Sequence, residues 1–272
     1  MRTEDRSFYV DRFWVAAPLV LLALAVLVFA DAATNRATFL ALHQACWGIP
    51  GWILQSVTFL GDTVPAVVIM LFFARRHPQL VWAAVLAAVV GTLYTHSLKP
   101  FFDAPRPPLV LDAESLRVVG HVLRRQSFPS GHSLTAFTVA GIIVFGFRQT
   151  WVRVLALTAG SLVALSRIGV GVHWPVDVAA GAFGGWLSAW LGVLGARRWG
   201  WGLTLRGRQI LVGLLMVAAA YLFVHDGGYP QATWLAWGLG VAGIVVGALT
   251  LRALIRGEPE SPPAPAPGTD QA

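Results

Sequence analysis

The chain is built from long apolar runs separated by short polar stretches. Eight runs stand out, at 13–30, 52–74, 80–98, 132–147, 151–165, 178–196, 210–224 and 232–254. Stretches of about 18 or more mostly apolar residues are long enough to cross a bilayer as a helix, and five of the eight reach that length. The three shorter runs, 132–147, 151–165 and 210–224, have the size of core helices in a soluble protein, but among such neighbours they read as spans too. The pattern predicts an all-α fold, a polytopic membrane helix bundle with about eight transmembrane helices. The first run is too long for the apolar region of a cleavable signal and lacks a small-residue cleavage site after it, so it reads as a span.

Composition strengthens the membrane reading. Hydrophobic residues make up 56% of the 272, and charged residues only 12%, against about 25% charged in soluble domains. The 12 tryptophans fit the aromatic belts of membrane interfaces. A net charge of +7 would suit a nucleic-acid partner, but the arginines are scattered between apolar runs and form no basic face. No nucleic acid is expected. Cys46 is the single cysteine, which excludes an intramolecular disulfide and a thiolate metal site.

Cationic residues orient the spans, because loops that stay in the cytoplasm are enriched in Arg and Lys. With both termini cytoplasmic, alternation leaves 13 basic residues inside, Arg2 and Arg6 among them, and seven outside. The outside seven are Arg36, Lys99, Arg106, Arg117, Arg124, Arg125 and Arg167, and all but Arg36 lie on two loops. One runs from Lys99 to about Gly131, a length that in a loop without repeats points to function. The other lies between Arg167 and Pro175. Residues 257–272 are rich in Pro and Ala and read as a disordered cytoplasmic tail. Gly243 and Gly247 form a GxxxG spacing in the last span, suited to close helix packing, with a dimer interface as the alternative.

Chemistry concentrates on the two outer loops. The first carries Lys99, the only lysine in the chain, then Arg106–Pro107, then Pro129-Ser130-Gly131-His132 just before the fourth run. The second carries Ser166-Arg167, His173 and Asp177. These pieces, K-x6-RP, PSGH and SR-x5-H-x3-D, together resemble the signature of the type 2 phosphatidic acid phosphatase family, which is related to the vanadium haloperoxidases and glucose-6-phosphatase. All three match without substitution and in the family's order. The resemblance covers roughly 50–196, which divides the chain into an N-terminal span and outer loop (1–50), the phosphatase core (51–196), two additional C-terminal spans (197–256) and the tail, so that the first six spans form a six-helix phosphatase bundle.

The residue types suit a phosphate ester, whose charge must be held through the transition state largely by electrostatics. Arg106 and Arg167 can grip oxygens in bidentate fashion, and Lys99 supplies a compact charge. Lysine as a snorkelling residue is the plainer reading, but arginine fills that role everywhere else in this chain. Ser130, Gly131 and His132 would present backbone N–H groups at a helix N-terminus, an anion site. His173 and Asp177 share a helix face at i,i+4, so the carboxylate can hold one ring proton and leave the other nitrogen nucleophilic. The resemblance implies that His173 attacks to form a phosphohistidine and that His132 protonates the leaving oxygen, then activates water. A metal fragment is the alternative for His173 and Asp177, but a third ligand is missing, so neither metal nor cofactor is expected. Asp62 is a secondary candidate, to pair with an arginine or cap a helix. Arg124 and Arg125, with Arg117, are candidates to touch a second phosphate or anionic headgroups. The remaining histidines, including His43, His121 and His225, show no ligand spacing and read as interfacial.

The resemblance therefore implies a lipid phosphatase of the cell (inner) membrane. Its site would face the periplasm or outside, and its partners would be membrane lipids and a lipid phosphate of the undecaprenyl diphosphate, phosphatidylglycerol phosphate, phosphatidate or lipid A class. A lipid phosphotransferase using a lipid diphosphate donor is the alternative, and an anion transporter a weaker one that needs neither PSGH nor a His/Asp pair. A soluble haloperoxidase is disfavoured by the spans. Oligomeric state is left open.

Overall fold

Every one of the eight apolar runs is helical in the computed structural model of the chain, which describes residues 8–258. Among these residues there is no strand. The placements expected for Arg2, Arg6 and the tail beyond residue 258 lie outside the described residues. The helices are α1 (Arg12–Phe29), α2 (Ala32–Ala45), α3 (Gly51–Phe59), α4 (Thr63–Leu71), α5 (Pro78–Phe102), α6 (Pro107–Val110), α7 (Gly131–Gly146), α8 (Thr150–Gly169), α9 (Pro175–Arg198), α10 (Leu205–Tyr221) and α11 (Thr233–Arg256).

Five helical segments are long and apolar enough to cross a membrane: Arg12–Phe29, Pro78–Val110, Thr150–Gly169, Pro175–Arg198 and Pro230–Arg256. A sixth is added if α3 and α4 count as one bent span. The count of eight is not reached on length, because α7 has 16 residues and α10 has 17. At about 1.5 Å per residue these fall short of a hydrocarbon layer of about 30 Å.

Two local departures from the run pattern shape the interior. The 52–74 run is broken, with α3 and α4 meeting at 64°. Gly61 sits at the break, where a Cβ would lie 2.7 Å from Val163 Cγ1 and 3.1 Å from His132 Cβ. Asp62 restarts the helix by accepting the Val64 N–H at 2.8 Å, the usual work of an N-cap carboxylate. The second departure is α2, which replaces an expected outer loop. Asp31 caps it by accepting the Thr34 N–H at 2.8 Å, and it buries Phe39 and His43.

Helix α9 is the hub. Its Gly181 and Gly185 abut the Ser130 and Leu134 carbonyls of α7, while Gly184 meets the Tyr94 ring and Gly192 the Ala83 carbonyl of α5, all too close for a Cβ. In lipid, where tails compete equally for apolar surface, helices associate through such close backbone packing. Trp186, fully buried on the same helix, packs edge-on to Phe145 with centroids 5.3 Å apart. The consequence for the site is register: the first turn of α9 is pinned to the first turn of α7, and the Ser130 N–H donates to the Asp177 carbonyl at 3.0 Å.

The C-terminal pair α10–α11 packs on α4. Gly243 faces Val68 and Ala219, and Gly247 faces Met216. The GxxxG face is thus filled by the chain's own helices, which leaves no room there for a dimer contact.

Candidate active site

Arg106 is the best-tied side chain in the two loops that carry the motifs. Only 5% exposed, it donates from Nε to the Arg125 carbonyl at 2.8 Å, from Nη2 to the Gln126 carbonyl at 3.2 Å and from Nη1 to the Val172 carbonyl at 3.2 Å. Nη1 also lies 3.0 Å from His173 Nε2. A guanidinium has no acceptor, so Nε2 must be the accepting, unprotonated nitrogen and the ring proton must sit on Nδ1. That assignment agrees with the other side of the ring, where Nδ1 lies 3.4 Å from Asp177 Oδ2.

Asp177 is held from three directions. Its Oδ2 accepts the Ser127 hydroxyl at 2.5 Å and the Trp174 backbone N–H at 2.8 Å, beside the His173 contact. The Trp174 bond is the reach-back of an N3 carboxylate to the start of α9, and Pro175 at the first helical position leaves no N–H to compete. His173, in the loop before α9, is 2% exposed. Burial and then the charges of Arg106, Arg167 and Lys99, with His132 beyond them, hold its pKa well below the ordinary 6.5. A neutral imidazole with an unprotonated Nε2, its lone pair accepting from Arg106, is what this environment favours.

Lys99, in the last turn of α5, donates to the Gln126 carbonyl at 3.4 Å, the same oxygen that Arg106 uses. Gln126 takes a left-handed φ of 56°, which turns that carbonyl toward both cations. Arg167, at the end of α8 and 1% exposed, donates from Nη1 to Thr58 Oγ1 and the Tyr229 hydroxyl, each at 2.5 Å. Among the described residues its buried Nε has no partner. His132 Nε2 is likewise buried and without a partner.

The α7 N-terminus is narrower as an anion site than expected. Ser130 spends its N–H on Asp177, and its Oγ accepts from the Ser133 N–H at 3.3 Å. Gly131 and His132 therefore keep the outward backbone donors. Gly131 has no atom within 4 Å of where a Cβ would stand. It lines a cleft of about 230 Å³ between α4, α5 and α7, together with His132, Asp62 and Thr95.

Thus Lys99, Arg106, Ser130, Gly131, His132, Arg167, His173 and Asp177 converge on one site. The secondary arginines do not. Arg125 pairs with Asp103 at 2.9 Å on the surface, Arg124 is exposed, and both serve Arg106 only through their backbone carbonyls. Arg117 donates to the Trp47 and Ile49 carbonyls. Asp62 borders the cleft beside Gly131 and His132, but it caps α4 and lies 3.2 Å from His225, with no arginine contact among the described residues. His43 is fully buried rather than interfacial: Nδ1 donates to the Ile168 carbonyl at 2.9 Å and Nε2 accepts the Arg117 N–H at 3.0 Å, tying α2 to the end of α8. Ser127 and Tyr229 were not singled out by the sequence. Ser127 stands three residues before Ser130, a signal within reach; Tyr229 has no local motif around it. Among the described residues no group of three or more His, Cys, Asp or Glu is placed to hold a metal ion.

An all-helical membrane-type bundle places two buried arginines, Arg106 and Arg167, and the half-buried Lys99 around an imidazole–carboxylate pair, a set of groups suited to an oxyanion. Residues 79–201 match the PAP2 superfamily, and the chain carries a PAP2 superfamily domain. An undecaprenyl-diphosphatase of Sulfolobus acidocaldarius is 32% identical over 132 residues, covering 46% of this chain and 59% of that protein. A phosphatidylglycerophosphatase B of Bacillus subtilis is 29% identical over 150 residues, covering 47% of this chain and 66% of that one. The chain thus spans less than two thirds of the length of these relatives. The crystal structure of Aquifex aeolicus LpxE superposes with a TM-score of 0.57 at 27% identity, covering 61% of this chain and 99% of that one.

Proposed function

We propose that the chain is an integral-membrane lipid phosphate phosphatase working through a phosphohistidine. The observation that carries this reading is the Arg106–His173–Asp177 line, which fixes a neutral, Nε2-nucleophilic imidazole between a phosphate-binding cation and a buried carboxylate. In the first half-reaction Nε2 attacks phosphorus, the ester P–O bond breaks, and His132 gives its proton to the departing oxygen. In the second, His132 takes a proton from water, whose oxygen attacks phosphorus as the N–P bond breaks, returning free His173 and phosphate. Lys99, Arg106, Arg167 and the Gly131 and His132 N–H groups hold the equatorial oxygens, so charge is stabilised by fixed donors without a metal. Arg106 must shift its Nη1 from Nε2 to the phosphate as substrate enters.

A lipid substrate is supported by the wall of the cleft. Val67, Met70, Ala84, Ala88 and Thr92 continue from it into an apolar trough of about 430 Å³ between α4, α5 and α10, a path for an acyl or prenyl chain. Undecaprenyl diphosphate, phosphatidylglycerol phosphate and phosphatidate are the candidate substrates, the first two named by the relatives. Arg117, Arg124 and Arg125 give no preference for a diphosphate, since their side chains are engaged or exposed elsewhere. The site faces the non-cytoplasmic side in this reading, with cytoplasmic termini.

Purified protein is expected to release phosphate from at least one of these lipids in excess chelator, with vanadate inhibiting as a mimic of five-coordinate phosphorus. Activity lost to chelator and restored by a divalent ion would overturn the metal-free mechanism; no release from any of the lipids would overturn the function.

Lys99→Arg is expected to cut kcat/KM by about tenfold or more although the charge is kept. Arg106 already occupies the Gln126 carbonyl with a planar fork, and a second fork cannot take the point position of the ammonium. Wild-type kcat/KM in the variant would reduce Lys99 to a diffuse charge.

A further inference from the structure

The hairpin tip between α10 and α11 lies beyond the family match, which ends at residue 201, yet it reaches the centre of the site. Tyr229 is 2% exposed. Its hydroxyl is bonded to Arg167 Nη1, its ring stands edge-on to His132 with centroids 6.2 Å apart, and the Arg167 guanidinium carbon lies 5.6 Å from its ring centroid.

Proton bookkeeping gives the hydroxyl a second task. Arginine only donates, so the phenolic oxygen accepts from Nη1 and its own proton is left over. Among the described residues that hydroxyl has no other hydrogen-bond partner. Arg167 Nε and His132 Nε2, on the two side chains against this tyrosine, are buried and without a partner among the described residues, so the surroundings combine donors with an acid–base nitrogen, a set suited to an oxyanion.

The tip is also held in place. Gln55 and Gln231 exchange two hydrogen bonds, of 3.1 and 2.9 Å. The His121 N–H donates to the Gly228 carbonyl at 3.1 Å. Gly120, at φ +90°, gives the tyrosine ring a surface where any Cβ would come within 2.6 Å of it. The ring is wedged, and only the O–H is free to serve a ligand.

We infer that Tyr229 is a further catalytic residue, its hydroxyl donating to a phosphoryl oxygen while its oxygen fixes the Arg167 guanidinium. The C-terminal helix pair is thereby part of the active site. The inference rests on the phosphatase reading for its substrate, but not for its anion.

Tyr229→Phe separates hydroxyl from ring, because it keeps the wedge and the contacts to His132 and Arg167. It is expected to melt like the wild type, to lower kcat/KM for lipid phosphate about 10- to 100-fold, the scale of one hydrogen bond to a charged group, and to weaken orthovanadate binding in calorimetric titration by a similar factor. Tyr229→Ala, tested beside it, is expected to lose thermal stability as well. A Tyr229→Phe protein with wild-type kcat/KM and vanadate affinity would overturn the proposal and leave Tyr229 a packing residue. A wild-type protein inactive on all lipids would sink the phosphatase reading alone, the titration still scoring Tyr229. A wild type that binds no vanadate either would sink both.

Discussion

A His173→Ala protein is expected to fold and to release phosphate at least about 10³-fold more slowly than the wild type, the scale seen when a nucleophilic unit is removed. Folding survives because Arg106 keeps its three carbonyl acceptors when the imidazole is gone. Asp177→Asn is expected to cost a comparable factor for another reason. An amide NH₂ facing Nδ1 would drive the ring proton to Nε2, where it would meet Arg106, a donor against a donor. Steady-state phosphate release together with a melting curve checks both; near-normal turnover by a folded His173→Ala protein would remove the nucleophile. The pH profile follows from the same environment. The nucleophile must be neutral, and burial with the Arg106, Arg167 and Lys99 charges lowers the His173 pKa. Activity is therefore expected to persist as pH falls through the ordinary histidine value of 6.5, with the acid limb of kcat/KM below it. An acid limb centred above 6.5 would contradict a depressed His173 pKa.

The legible part of this molecule was whatever local pattern encodes. Apolar runs mark helices because an isolated segment in lipid must satisfy its own backbone, and the three spaced motifs mark the site because phosphate demands those types. The break at Gly61–Asp62 was half legible: an aspartate before Thr-Val-Pro is a cap signal, but α3 and α4 are both apolar, so hydropathy runs straight through the bend. Helix α2 was missed since its sequence is polar enough to resemble a loop, and only Asp31 announces it. His43 could not be placed from sequence, because its partners are 125 and 74 residues away. Tyr229 is 62 residues from Arg167, and nothing near it differs from any other loop tyrosine. The extra arginines misled in the opposite way. Arg124 and Arg125 carry charge where the loop needs only their carbonyls, and a carbonyl has no residue type to read.

The two arginines of the site separate under the same conservative change. Arg106→Lys is expected to lose both stability and activity, whereas Arg167→Lys loses activity while melting near the wild type. Arg106 serves four acceptors on two loop segments, and its own N–H donates to the Arg124 carbonyl at 2.9 Å. An ammonium has three donors from one point and cannot span the Arg125, Gln126 and Val172 carbonyls together with His173. Two buried acceptors left bare cost about 2–5 kcal/mol, enough to loosen the 104–127 loop and release His173 from its fixed orientation, so turnover is expected to fall at least about 100-fold. Among the described residues Arg167 gives only Nη1 to the protein, to Thr58 and Tyr229, and a lysine ammonium can reach such a pair. In the proposed mechanism its buried Nε, without a partner among the described residues, donates to the anion, and its loss is expected to register in turnover and vanadate affinity rather than in folding. Parallel melting curves and kcat/KM values for the two variants test this division. Arg106→Lys with a wild-type melting curve and near-normal turnover would show that the loop does not hang on Arg106, and that His173 is aligned by Asp177 alone.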